Sequence, residues 1–188
     1  MTGCKIISAS PDPGTTFIIK PGDKQVFAVT VMGGPLIQTR YIIDGFFREG
    51  QAGSLGTFTY APTNYDVGPH KIEIEATSFF FGKGTQGGIA IIILGQDQRE
   101  WNVVVSGIKL TPTKDYVKPR EALELKATAY PEGEYNYAWY LDDTLMSTSE
   151  TFTFTPTITQ SGNHTLGGEG HGFRTGVFTH ANYSCPLC

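Results

Sequence analysis

Cysteine is scarce in this 188-residue chain, and the three present, Cys4, Cys185 and Cys188, all lie near its two ends. Neither half therefore holds a candidate pair for an inter-sheet disulfide of the antibody type. Long hydrophobic runs are also missing. The longest, Ile89 to Leu94, falls far short of the roughly 18–20 apolar residues a membrane-spanning helix needs. No charged start and apolar stretch precede Thr2, as a secretory signal would require. Basic excess is absent as well: the net charge is −4 and thinly spread, which leaves no face suited to a phosphate backbone and excludes nucleic acid as an expected partner. No serine stands in a G-x-S-x-G setting, and no glycine pattern joins a strand to a helix. Without a grouped acid, base or nucleophile, the chain is expected not to be an enzyme and to need no cofactor.

What the sequence holds in quantity is turn and strand chemistry. Its 23 glycines, 11 prolines and dense threonine favour an all-β chain over a helical one. The decisive feature is an internal repeat. The segment KPGDKQVFAVTV, from Lys20 to Val31, lines up with KPREALELKATA, from Lys118 to Ala129. At the same spacing Tyr41-Ile42-Ile43-Asp44-Gly45 meets Trp139-Tyr140-Leu141-Asp142-Asp143. After a loop that is shorter in the second copy, TFTYAPTNYDVGPHKI (Thr57 to Ile72) meets TFTFTPTITQSGNHTL (Thr151 to Leu166).

Each matched block has a physical reason. Gln25, Phe27, Val29 and Val31, like Leu123, Leu125, Ala127 and Ala129, recur at period two and mark strands with one buried face. The preceding Lys-Pro keeps the chain extended and removes a ladder donor at the strand entrance. Asp44-Gly45 is a hairpin signal, because glycine accepts positive φ. Phe58 with Tyr60, and Phe152 with Phe154, are expected to face inward while their threonine neighbours face water.

These blocks resemble PKD and related bacterial immunoglobulin-like domains, whose Y-x-W-Y-L-D-like strand is matched by Tyr137 to Asp142 and whose T-F-T strand and G-x-H turn follow. In the first copy Tyr41 takes the place of the tryptophan. The resemblance covers residues 6–105 and 108–166. It implies two tandem immunoglobulin-like β-sandwiches, with Tyr41, Trp139, Phe58 and Phe152 as core aromatics, and it implies a cell-envelope or extracellular location. Because the fold hosts many roles, it says little about function. The expected organisation is an N-terminal segment 1–5, a first domain 6–106, a second domain 107–166 and an irregular tail 167–188.

The copies diverge after the last matched block. The first continues through a long hairpin, with one strand from about residue 70 to 81 and another from about 89 to 105, and a bulge or kink expected at Gly95. Its distal part, Phe79-Phe80-Phe81 and Ile89 to Leu94, is apolar without alternation, so both faces call for cover. That cover could be an enlarged domain core, the second domain, another subunit or lipid. Phe79, Phe80, Phe81, Ile89, Ile91, Ile92, Ile93 and Leu94 thus form the candidate interaction patch. In the second copy, Gly167-Gly168-Glu169-Gly170 replaces the strand pattern. The expectation is a second domain that is incomplete at its C-terminal strand, with an open edge, and a tail that is not the native ending of the fold.

Other candidates are weaker. Thr2-Gly3-Cys4-Lys5 resembles the end of a bacterial lipoprotein signal, which makes Cys4 a candidate lipid attachment point. His171, His180, Cys185 and Cys188 could form a zinc set, but the histidines are poorly spaced for one. Redox chemistry at Cys185-x-x-Cys188 lacks the strand-to-helix context it normally has. His70 and His164 follow turn glycines and are better read as turn residues. Asp142-Asp143 and Glu132-x-Glu134 lack the loop pattern of a calcium site and suit a solvated rim. Asn163 and Asn182 fit the glycosylation sequon, which carries no weight in a bacterial chain.

The expectation is therefore a noncatalytic extracellular binding or spacer module of a bacterial surface lipoprotein or adhesin. Its partner would be a protein or glycan at the cell surface, or a second copy of itself. The alternatives are a structural subunit of a surface filament using the 79–94 hairpin, and accessory domains of a larger secreted enzyme.

Overall fold

The computed structural model describes residues 3–84, 87–112 and 117–157 in full, and the backbone of strands 162–171 and 179–185. The chain divides into two compact units. One comprises Met1–Ile19, Asp23–Ala61 and Pro69–Val104; the other comprises Lys20–Gly22, Pro62–Gly68 and Val105–Cys188.

In the first repeat the strands are β1 (Lys5–Ser10), β2 (Thr16–Ile19), β3 (Gln25–Met32), β4 (Leu36–Ile43), β5 (Phe46–Ala52), β6 (Leu55–Tyr60), β7 (Gly68–Lys83) and β8 (Ile89–Val105). They form a sheet of order β1-β3-β6 and a sheet of order β2-β8-β7-β4-β5. Period-two burial fixes which face of each strand turns inward. Phe27, Val29 and Val31 of β3, Tyr41 and Ile43 of β4, Ile72, Ile74 and Ala76 of β7, and Trp101, Val103 and Val105 of β8 are buried. Phe27 packs between Phe17 and Trp101, with ring centroids 6.3 and 5.1 Å away.

The second repeat uses the same plan. Its strands are β9 (Gly107–Pro112), β10 (Leu123–Tyr130), β11 (Asn136–Leu141), β12 (Thr144–Ser147), β13 (Thr151–Phe154), β14 (Gly162–His171) and β15 (Thr179–Cys185). The sheet orders are β13-β10-β9 and β12-β11-β14-β15. Ile108, Leu123, Leu125, Ala127, Trp139, Leu141 and Phe154 form the core. A three-stranded sheet facing one led by a central antiparallel pair, with the chain crossing between them as it does here, is the immunoglobulin-like arrangement. The protein is a tandem of two such β-sandwiches.

The repeat is exact in its irregularities. Both copies break register at one place, between Tyr41 and Ile42 and between Trp139 and Tyr140. Both hairpins then turn through two residues of positive φ, Asp44 and Gly45 (52° and 81°) and Asp142 and Asp143 (47° and 65°), as a two-residue type I′ turn requires. A backbone bond ties the loop entering the second strand to the loop leaving the T-F-T strand: Gly22 N donates to Pro62 O at 2.9 Å, and Arg120 N donates to Pro156 O at 2.8 Å.

The expected irregular tail after residue 166 is corrected. Strand β14 runs through that boundary to His171 and pairs with β11, and β15 returns alongside it with Gly162 opposite Cys185 and Gly168 opposite Thr179. The second domain thus has its last strand, and the edge expected to be open is paired. The physical reason lies across the ladder. Tyr140, Trp139 and Tyr137 stand opposite Gly167, Gly168 and Gly170, so large aromatic partners accompany positions where β14 has no side chain. A ladder needs only backbone amides and carbonyls, whereas hydrophobic alternation registers side chains.

Candidate functional site

The long hairpin of the first domain changes character along its length. From Ile72 to Ser78, β7 alternates buried and half-buried residues. The β4 ladder ends at Leu36 opposite Phe79, and Gly14 N donates to Glu100 O at 3.3 Å, which sets the N-terminal approach to β2 beside the root of β8. Among the described residues, no strand continues the β4 ladder along β7 beyond Phe79.

The root of this arm is a site of close approach. Leu94 lies against Gly34, where any side chain would collide with its Cδ1. A Cβ at Gly95 would stand 2.5 Å from Cys4 N and 3.1 Å from Gly3 Cα, so glycine there lets the N-terminal backbone pass. Leu94 meets Gly34 beside the buried Ser78, and Asp97 accepts from Ile6 N at 2.8 Å across the sandwich. Both residues are half-buried, with Gly95 between them.

Past the root, both faces of the arm are bare. On one face Ile89 and Ile91 are 82% and 67% exposed, with Phe81 and Ile93 also exposed. Phe79, on the same side as Phe81, meets it edge-on at 5.8 Å. On the other face Phe80 and Ile92 are 37% and 44% exposed and flank Gly82. The core of the first sandwich therefore leaves the patch uncovered.

Exposed apolar residues continue around this end of the domain: Met32, Leu36 and Leu55. The register puts them there, since Met32 pairs with Lys5 and Leu36 with Phe79, while Thr30 pairs with Leu55. Between Glu75 and Asp97 the sequence holds no carboxylate and one lysine, Lys83. Lys5 and Lys83 are both exposed. Asp97 is engaged by Arg99 at 2.8 Å and by the Ile6 amide. Burial acts to raise its pKa, but those partners and the Gln98 amide hold it below the usual carboxylate range.

Cys4 sits at the arm's root, half-buried and unpaired. Burial pushes its thiol above the usual value, and Asp97 adds to the rise while Ser78 opposes it. The sulfur is therefore a poor nucleophile at neutral pH.

The aromatic residues singled out in the sequence occupy matching places in the two copies. Tyr41 stacks on Phe58 at 5.4 Å, and Trp139 stacks on Phe152 at 5.8 Å. Tyr41 and Trp139 are buried, while Phe58 and Phe152 are half-buried at the sandwich margin. Burial raises the Tyr41 pKa, with Thr39 opposing the shift. Its hydroxyl donates to Gln51 Oε1 at 3.1 Å and lies 3.2 Å from Thr39 Oγ1. Trp101 is a further core aromatic, which its alternation with Val103 and Val105 could have revealed.

The remaining candidates are not drawn together. His171 and Cys185 stand at opposite ends of the β14–β15 pair, opposite Asn136 and Gly162 respectively, with His180 opposite Gly167. The ten-residue strand from Gly162 to His171 spans roughly 30 Å, so His171 and Cys185 do not converge on one ion. Cys188 and the side chains of His164, His171, His180 and Cys185 lie outside the described residues. His70 holds the β4–β5 turn, with its Nδ1 2.7 Å from Asp44 Oδ2, while Lys71 N donates to Asp44 Oδ1 at 2.8 Å. Among the described residues no group of three or more histidine, cysteine or acidic side chains could hold a metal ion. No helix there is long and apolar enough to cross a membrane.

No family model matches the chain, and no curated protein sequence is significantly similar to it. Solved structures do resemble it. The fibronectin(III)-like modules of Clostridium thermocellum CbhA are 14% identical, with 97% of this chain and 93% of that one covered and a TM-score of 0.34. The titin Ig tandem A164–A165 is 12% identical, with 98% and 97% covered and a TM-score of 0.43. Extracellular domains 3–5 of Drosophila OTK are 15% identical, with a TM-score of 0.46; the match covers 97% of this chain and 65% of that fragment. The fold assignment rests on strand order and register.

Proposed function

We propose that the chain is a noncatalytic binding and spacer module of a bacterial surface lipoprotein or adhesin, of PKD-like type, carried outside the cell. The observation that carries the reading is the projecting hairpin, whose two bare apolar faces suit contact rather than chemistry. Sandwich scaffolds of this kind present contact residues on loops and hairpin ends. Cys4 lies beside the root of the arm, so a lipid carried there would leave from the same end. The partner on this reading is a protein or glycan at the cell surface. The anchoring claim is tested by labelled palmitate fed to cells producing the protein from its native gene. Incorporation that disappears in Cys4→Ala supports it, and absence of label in the unsubstituted protein removes it.

A second reading is a structural subunit of a surface filament, in which the 79–94 arm of one copy covers a neighbour. The exposed arm favours it, although β15 fills the edge of β14 that was first expected to be the docking place in the second domain. Light scattering during size-exclusion chromatography separates the two readings. A monomer at high concentration counts against assembly, and a defined oligomer counts for it. Accessory domains of a secreted enzyme are the third reading, which the full reading frame would decide.

A further inference from the structure

We infer that the β7–β8 arm is a membrane-docking element that inserts shallowly into the interface of an anionic lipid surface. This goes beyond the surface-module reading and stands without it, since vesicle binding requires neither a lipidated Cys4 nor any protein partner.

Three observations on the arm select lipid over protein. The first is its two-sidedness: Ile89 and Ile91 on one face, and Phe80 and Ile92 on the other, are all exposed. A flat protein surface covers one face of a two-stranded ribbon, whereas a fluid apolar phase surrounds both. The second is charge. The only ionisable side chain from Ala76 to Gln96 is Lys83, and Lys5 stands exposed at the same end. Two cations framing an apolar surface complement acidic headgroups, although the chain as a whole carries a charge of −4. The third is reach. The five residues Phe79 to Lys83 extend roughly 16 Å, enough to carry their side chains the roughly 5–10 Å into the headgroup–acyl boundary at which interfacial elements lie.

The same geometry limits the depth. Beyond the Leu36–Phe79 pair the outer edge of β7 leaves its ladder, and unpaired backbone groups are not tolerated in the hydrocarbon. The phenylalanine and isoleucine side chains therefore enter the headgroup–acyl boundary while the strand edges stay hydrated. Met32, Leu36 and Leu55 surround the arm and widen the apolar footprint.

The test is flotation of the full chain with vesicles made of equal parts phosphatidylcholine and phosphatidylglycerol, alongside vesicles of phosphatidylcholine alone. Binding is expected to the mixed vesicles, and weaker binding to the neutral ones. Phe81→Ser with Ile91→Ser should lower the partition coefficient roughly tenfold or more. Lys83→Glu should weaken binding to the anionic vesicles alone. Phe46→Ser, which alters a still more exposed ring beside the β4–β5 turn, should float like the unsubstituted chain. If Ile91→Ser fails to fold by circular dichroism, Ile89→Ser replaces it. The inference is overturned if the chain does not float, or if it floats equally well with the arm substituted. It is likewise overturned if light scattering shows a dimer that Phe81→Ser dissociates and no vesicle binding accompanies it.

Discussion

The two sandwiches share one plan but meet its demands differently. Where the first turns its chain through positive φ on glycine, at Gly22 and Gly45, the second uses Arg120 and Asp143, at φ 67° and 65°. Where the first lines the inner face of β7 with Ile72, Ile74 and Ala76, the equivalent positions of β14 are Leu166, Gly168 and Gly170. The second copy thus carries more backbone strain and offers less apolar volume against the same aromatic stack. Strand order and turn type survive such changes because backbone hydrogen bonding and the hairpin twist set them. Stability does not, because it scales with buried side-chain volume.

Calorimetry of the whole chain should therefore show two transitions, with the second domain melting first. The strongest probe writes the second copy's residue into the first: Ile74→Gly should cost about 4 kcal/mol and bring the first domain's transition down toward its neighbour's. A single unresolved transition, unmoved by the substitution, would break the comparison. Tyr41→Phe removes the bonds to Gln51 and Thr39 and should cost about 1 kcal/mol in chemical denaturation, whereas the tryptophan of the second copy cannot be probed in this way. Asp143→Gly and Arg120→Gly give the second copy the first's backbone. Each should stabilise by about 0.5–1 kcal/mol, and a loss of stability would show that the side chains there matter more than the strain.

The smallest expected effect is on acidification. Burial works to raise the Asp44 pKa, but the Lys71 amide, His70 and Arg48 together hold it below the ordinary value. A carboxyl depressed in the folded state contributes stability above its unfolded pKa, near 4, and loses it as pH falls through the folded value. Melting of the first domain should thus decline below about pH 4, and Asp44→Asn should flatten that decline. An unchanged acid profile would remove Asp44 from the account.

These contrasts also show what the sequence could reveal. Phe27, Val29 and Val31 alternate because β3 has one wet face, and Tyr41 and Trp139 align because their strands fill the same place. Such patterns are legible wherever a side chain must be buried. Strand β14 is not legible, since Gly167, Gly168 and Gly170 leave no periodic trace of a ladder held by its backbone. Strand β5 gives no signal either, being an edge exposed along nearly all its length. The arm was half legible. Unalternating Phe79–Phe81 and Ile89–Leu94 announced a need for cover, but whether the fold itself supplies that cover depends on how far the hairpin outruns the sandwich, which only the register at Leu36 and Phe79 reveals.

The two tryptophans of the chain fall one to each sandwich. Trp101 donates its indole N–H to Pro11 O at 2.8 Å, and Trp139 donates to Ser149 O at 2.7 Å. Both rings are buried, so each domain carries a native chromophore with a blue-shifted emission that moves to the red when that domain opens. With Trp101→Phe or Trp139→Phe, the light from one chain follows the loss of either sandwich separately, without any attached dye.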